Sequence, residues 1–255
     1  MSATPRSRQL RSYFFELKLK RPIIIGVIAG ILTNLAYGSP NWKGVGGLFL
    51  MVTLVCLAWI AYQIVRYYGG PADEVVDRWL DEDIGELKEK SYNKLGLEEA
   101  EKLRDPLVII SPILWDVRGI DAKDLRYRKG KDKLVRFGVY QITIFQLADH
   151  LLASYIFYYN FIKKVALNER TYEFHYSDIV SVSTEEISTN YTLPDGKRLI
   201  RAQEFRLSVS SGENIRVTVN PHQILDMTNG ELPSSGAEEA VRTIRKMLRD
   251  KKQAR

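Results

Sequence analysis

FGVYQITIFQLADHLLASYIFYYNFI, from Phe137 to Ile162, is the stretch on which the fold turns. Its hydrophobicity is that of a membrane-spanning helix, but Gln141, Gln146, Asp149, His150 and Asn160 interrupt it. As a helix it would place Asp149 and His150 near the bilayer centre, at a cost of about 3 kcal/mol for such a charged side chain. As two strands it meets no such cost. Tyr140, Ile142 and Ile144 share one face of the first strand. Ala153, Tyr155, Phe157, Tyr159 and Phe161 make an alternating stripe on the second, and Leu147 to His150 supplies the turn. The segment therefore belongs to a soluble β-rich domain.

The same alternation continues beyond it. Strands are expected over Thr171 to Tyr176 and Ile179 to Ser183, separated by Ser177-Asp178. Phe205, Leu207 and Val209 alternate with polar residues. After Ser211-Gly212-Glu213-Asn214, Ile215, Val217 and Val219 do the same, which describes a hairpin from Glu204 to Asn220. Ala237, Ala240, Val241, Ile244, Met247 and Leu248 then recur at helical spacing. Ser235 and Glu238 form a capping box at the start of this last helix.

Two runs near the N-terminus carry no charge: PIIIGVIAGILTNLAYG over 22–38 and GVGGLFLMVTLVCLAWIAYQIV over 44–65. A helix of about 20 apolar residues crosses a bilayer core of about 30 Å, so both are transmembrane candidates. The short segment between them demands an antiparallel hairpin. Trp42, Tyr37, Tyr67 and Tyr68 sit where interfacial aromatics belong. Arg6, Arg8, Arg11, Lys18, Lys20 and Arg21 precede the first run and Arg66 follows the second, with only Lys43 between them. This asymmetry predicts a multi-pass membrane protein with both termini cytoplasmic. Gly26 and Gly30 form a GxxxG motif that packs the two helices of one chain together or joins two chains as a homo-oligomer.

The chain divides on this reading into a basic N-terminus (1–21), the hairpin (22–68), a helical linker (69–105) and a soluble domain (106–255) expected to fold without the linker. Within the linker, Val75, Val76, Trp79, Leu80, Ile84 and Leu87 mark an apolar face, and Asn93 to Gly96 marks a stop. A second short helix is expected over Leu97 to Arg104.

Charge excludes some functions. Of the formal net charge of +6, residues 1 to 68 hold eight Lys/Arg against Glu16 alone. The remaining 29 Lys/Arg and 30 Asp/Glu nearly cancel. No domain-wide basic field exists, so nucleic acid is not an expected partner. The lone Cys56 excludes an intrachain disulfide. His150, His175 and His222 lack partners at metal-ligand spacing, and no nucleophile elbow, phosphate loop or zinc motif occurs. No enzyme, metal or cofactor is expected.

One local concentration of charge stands out: Lys123, Arg126, Arg128, Lys129, Lys131, Lys133 and Arg136, diluted only by Asp124 and Asp132. Such a cluster suits anionic membrane lipid or a protein partner, facing the bilayer while the acidic stretch Asp73 to Glu86 faces away. The other reading is a solvated loop whose charge that acidic stretch balances.

The strand succession, the hairpin and the closing helix, with YEFHYSDIVSVS over Tyr172 to Ser183, resemble a bacterial pleckstrin-homology-like domain. The resemblance covers roughly Leu107 to Arg249. It implies an α+β chain in which an antiparallel β-barrel or sandwich is closed by a C-terminal amphipathic helix. It also implies a scaffold for lipid, peptide or self-association in a mostly uncharacterised family. The stretch Leu107 to Lys133 and the loop Asn190 to Arg201 are longer than a minimal domain requires. The expected function is a membrane-anchored binding or scaffolding protein. The alternative is a small channel-like oligomer lined by Thr33, Asn34, Thr53 and Gln63, with the soluble domain as its sensor.

Overall fold

The computed structural model describes residues 5–38, 43–97, 104–193, 196, 198–220 and 229–253. The chain forms two compact units, Met1–Ala72 and Asp73–Arg255.

The first unit holds three helices: α1 (Pro5–Tyr13), α2 (Lys20–Tyr37) and α3 (Lys43–Tyr68). Two helices, over Lys20–Tyr37 and Val45–Tyr68, are long and apolar enough to cross a membrane. They run antiparallel. A Cβ on Gly26 would lie 3.2 Å from the Cys56 Cβ, and one on Gly46 would lie 3.4 Å from the Ala36 Cβ. The less exposed positions are 22, 26, 29, 30, 33 and 36 on α2 and 46, 49, 53, 56, 60, 63 and 67 on α3. This three-four alternation is the seam of a left-handed helix pair, and small residues along it let the backbones approach. Gly26 is thus used within the chain, whereas a Cβ on Gly30 would meet nothing within 4 Å. Outside the seam the apolar side chains, including Ile24, Leu35, Met51 and Val65, are exposed.

The segment from α1 to α2 folds back on the end of α3. Leu10, Tyr13 and Phe14 are buried. The Lys18 N–H donates to Gln63 Oε1 at 2.9 Å, and Gln63 Nε2 donates to the Lys18 carbonyl at 3.3 Å. The Ser12 hydroxyl donates to the Arg66 carbonyl, while the Arg66 guanidinium lies 4.5 Å from the Phe15 ring centre.

The second unit contains α4 (Asp73–Leu95), nine strands and α5 (Ala237–Gln253). The strands are β1 (Leu107–Pro112), β2 (Tyr127–Lys129), β3 (Val135–Phe137), β4 (Val139–Leu147), β5 (Leu151–Asn160), β6 (Val165–His175), β7 (Ile179–Thr192), β8 (Arg198–Val209) and β9 (Asn214–Asn220). They form antiparallel sheets in the orders β1-β4-β5-β6, β2-β3 and β7-β8-β9. Phe137 to Ile162 is therefore the strand pair expected, with Leu147 opposite Leu152 across its turn.

Both faces of that pair are covered. On one face Phe145, Leu147, Leu152 and Ile156 join a single buried cluster with Phe205, Leu207, Ile215 and Val217 of the other sheet and Ala240, Val241 and Ile244 of α5. On the other face Gln146 Nε2 donates to the Ser91 hydroxyl of α4 at 2.8 Å, and the Tyr159 hydroxyl donates to Asp83 at 2.6 Å. A sheet buried on both sides needs near-continuous hydrophobic strands, which is why its sequence resembles a membrane helix.

Helix α4 is thus a layer of the second unit, and the compact units divide at Ala72/Asp73, ahead of the helix expected as a linker. Gly96, at φ 62°, ends the helix in the left-handed conformation that a side chain would strain. The short helix expected over Leu97 to Arg104 falls mostly outside the described residues, as does part of the loop Asn190 to Arg201.

The expected barrel does not close among the described residues. No ladder joins β6 to β7 or β9 to β1. β1 and β9 still lie against each other, and the Ser111 hydroxyl donates to the Thr218 carbonyl between them. The outer edge of β1 is instead occupied by the segment leading into α5, where the Ile110 N–H donates to the Ser235 carbonyl. The Ser235 hydroxyl accepts the Ala237 N–H at 3.3 Å as the cap of α5.

Candidate functional site

The basic cluster does not form one free surface. Arg136 is 3% exposed. Its Nε and Nη2 donate to the two carboxylate oxygens of Asp77, both at 2.6 Å, and its Nη1 and Nη2 donate to Asp132 at 3.0 and 2.7 Å. A guanidinium fork bound by two carboxylates is saturated and presents no positive charge to a ligand. Its hydrogen bond is the main reason that the Asp132 carboxyl is held below its ordinary pKa.

Arg128 stands directly opposite Arg136 in the β2–β3 register. Asp77 and Asp132 neutralise Arg136, which eases the like-charge pairing. Lys123 pairs with Asp121 at 2.6 Å, and the Lys129 ammonium donates to the Asn229 carbonyl at 2.5 Å. Arg126 is half-buried, and its carbonyl accepts the Gly138 N–H. The Lys131 N–H donates to Asp73 at 2.9 Å, and Lys133 adopts φ 69° at the hairpin turn. Lys129, Lys131 and Lys133 are exposed without an ion pair among the described residues, and of these Lys129 is held by the Asn229 carbonyl.

The acidic helix consequently touches the basic hairpin instead of facing away from it: Asp73 and Asp77 both bind it. Behind their contact lies a mostly apolar cavity of about 260 Å³, walled by Leu80, Ile84, Ile110, Phe137, Tyr140 and Pro233.

A larger cleft, about 680 Å³, opens where the two main sheets diverge. The buried cluster fills the space between the sheets up to Phe145 and Ile156 on one side and Phe205 and Val217 on the other. Past these residues the side chains turn polar. Gln141 and Tyr158, a cross-strand pair, line the cleft from the first sheet, and Glu204 and Thr218, also paired, line it from the second. Trp115 closes one end, stacked on Tyr191 with ring centres 4.6 Å apart. Arg118, Arg170 and Arg216 stand around it with Asp116.

Polar groups are left without protein partners here. Gln141 and Glu204 are 6% and 7% exposed, and neither side chain hydrogen-bonds to a described residue. The Thr143 hydroxyl, two residues from Gln141 on the same face of β4, is buried and unbonded. Burial is the leading influence on Glu204 and raises its carboxyl, against the nearby Arg216 charge. Gln141 and Glu204 line the cleft with polar groups that no described residue engages, so water or a ligand can meet them there.

The cleft was not legible in the sequence. Its residues come from six strands and a connecting segment, and each is unremarkable in its own stretch. The one available signal was the excess length of Leu107 to Lys133, which carries Trp115, Asp116 and Arg118. No group of metal-ligating side chains occurs among the described residues. No protein-family model, no curated protein and no solved structure matches the chain.

Proposed function

We propose that this chain is a membrane-anchored binding or scaffolding module. In this reading α2 and α3 cross a bacterial inner membrane as a hairpin, both termini are cytoplasmic, and a pleckstrin-homology-like domain is held at the inner face.

The observation that carries the anchoring is the exposure of α2 and α3. Ile24, Leu35, Leu48, Met51 and Val65 are each more than half exposed on helices without an internal charge beyond their ends, a surface suited to lipid. The folded-back segment of residues 5–19 supports the orientation, because it gathers Arg8, Arg11 and Lys18 at the Arg66 end of the hairpin. Two antiparallel sheets packed with a C-terminal amphipathic helix support the pleckstrin-homology-like reading. The residual cations Lys131 and Lys133 are the part of the basic cluster left to meet anionic lipid.

The channel-like alternative loses support from its own residues. The Thr33 and Thr53 hydroxyls donate to the carbonyls of Ala29 and Phe49 within their own helices, and Gln63 is occupied by Lys18. These groups are satisfied locally, as a lipid-facing or packed helix requires.

Alkaline extraction of membranes tests the anchoring. The full chain should stay with the pellet and a chain lacking residues 22–68 should leave it. Recovery of the full chain in the supernatant would contradict the proposal.

A further inference from the structure

The apolar cavity behind the Arg136–Asp77 contact lies wholly within the second unit. Leu80 and Ile84 of α4 line it from the helix, and Ile110, Leu134 and Phe137 line it from the strands and the basic hairpin. Its exposed lining residues are Asp81 on α4 and Pro233 and Ser234 ahead of α5, so it opens between that helix and that segment. One polar group in the wall has unused capacity. The Tyr140 hydroxyl accepts the Phe137 N–H at 3.0 Å, but it donates its own proton to no described residue. Tyr140 is 4% exposed, and burial raises its phenol, so it remains a donor at neutral pH. A buried donor without an acceptor is unfavourable. Asp77, Asp81 and Arg136 are the charged residues of the lining, two carboxylates and one guanidinium, and they sum to −1.

We infer that this cavity binds a small uncharged molecule, a hydrocarbon body of about ten non-hydrogen atoms carrying one carbonyl oxygen that accepts from the Tyr140 hydroxyl. An apolar cavity of about 150 Å³ holds the six carbons of benzene, and about 260 Å³ extends that in proportion. The apolar wall and the single open donor select an apolar ligand with one acceptor. A carboxylate is disfavoured by the negative lining. An ammonium is disfavoured because it brings a further donor to a site whose open group is itself a donor. The inference deepens the binding-module reading and rests on it.

The test is equilibrium dialysis of the full chain in nonionic detergent against acetophenone, with a plugged chain, L80W or P233W, subtracting uptake by the micelles and by α2 and α3. The reference is whichever plugged variant keeps the parent's unfolding midpoint. The parent should take up about one further probe per chain, with half-saturation at about 1 mM or below. Ethylbenzene, which lacks the acceptor, should bind about fivefold more weakly, and Y140F should lose that preference while still taking up both probes. Benzoate and benzylamine should show no uptake above the reference. Equal uptake of acetophenone by the parent and the plugged chain overturns the site. A preference for acetophenone that survives in Y140F overturns the role of the hydroxyl, and uptake of benzoate or benzylamine equal to that of acetophenone overturns the uncharged class. Any of these results in a chain that still pellets with membranes overturns the ligand alone, whereas failure to pellet overturns the anchoring.

Discussion

Arg136 on β3 and Asp77 on α4 meet side-on, with Nε to Oδ1 and Nη2 to Oδ2 each at 2.6 Å, and so tie the acidic helix to the basic hairpin. Arg136→Met would leave the carboxylates of Asp77 and Asp132 facing each other around an apolar side chain. Arg136 is buried but both carboxylates are partly exposed and can be solvated, so its removal costs about 1 kcal/mol. Chemical denaturation of the full chain should show that loss. Arg136→Lys should recover only part of it, since an ammonium cannot reproduce the fork. Asp132 has a lowered pKa, so its contribution is present above its ordinary value of 3.8 and fades as pH falls through the folded-state value. A midpoint unchanged in Arg136→Met would show that the pair contributes nothing.

Because α4 covers one face of β4 and β5, the residues that begin the folding unit matter. A fragment of residues 73–255 is expected to be soluble and cooperative in unfolding. A fragment of residues 106–255 exposes the α4-facing side of the sheet, including Tyr159, which otherwise bonds to the fully buried Asp83. It should aggregate or bind a hydrophobic dye such as ANS. Equal solubility and equal cooperativity of the two fragments would return α4 to the role of a linker.

Glu169 on β6 receives the ammonium groups of Lys90 and Lys94 from α4 at 2.9 and 2.8 Å. Burial raises its carboxyl, but the hydrogen bonds from Lys94 and Lys90 more than offset this and hold it at about 2. Its stabilising contribution is therefore complete above the ordinary value of 4.5 and is lost as pH falls toward about 2. Glu169→Gln should cost about 1 kcal/mol at neutral pH, a partly screened pair being worth little more. The variant and the parent should converge at low pH in acid-unfolding curves. A gap that persists below the folded-state value would assign the effect to packing instead.

How far the sequence could be read depended on whether a residue's partner was local. The strand pair of Phe137 to Ile162 was readable because the alternation and the polar interruptions lie in the stretch itself. The apolar face of α4 was readable too, but its partner was not. Val76, Ile84 and Leu87 announce burial without saying against what, and the hairpin nearby in sequence suggested a linker. The basic cluster misled for a related reason. Arg136 and Asp77 are 59 residues apart, and no local pattern marks an ion pair across that distance. Barrel closure likewise depends on how β1 and β9 meet, and an edge occupied by Ser235 leaves no periodic trace.

The two glycines of the GxxxG motif should behave differently. Gly26→Val places a branched side chain against Cys56, and overpacking of this kind costs about 1–3 kcal/mol. Gly30→Val meets open space, so thermal stability in detergent should fall for the first variant and hold for the second. If Gly30→Val instead lowers the native mass measured in detergent, that face joins two chains.

The most direct test of the proposed anchoring is the compartment in which the second unit lies. Alkaline phosphatase and green fluorescent protein can each be fused after Arg255 and expressed in a bacterium that exports through the general secretory route. The account predicts a fluorescent, phosphatase-negative pair, with the domain in the cytoplasm behind a two-helix hairpin. An active phosphatase with a dark fluorescent fusion would place the domain outside and contradict it.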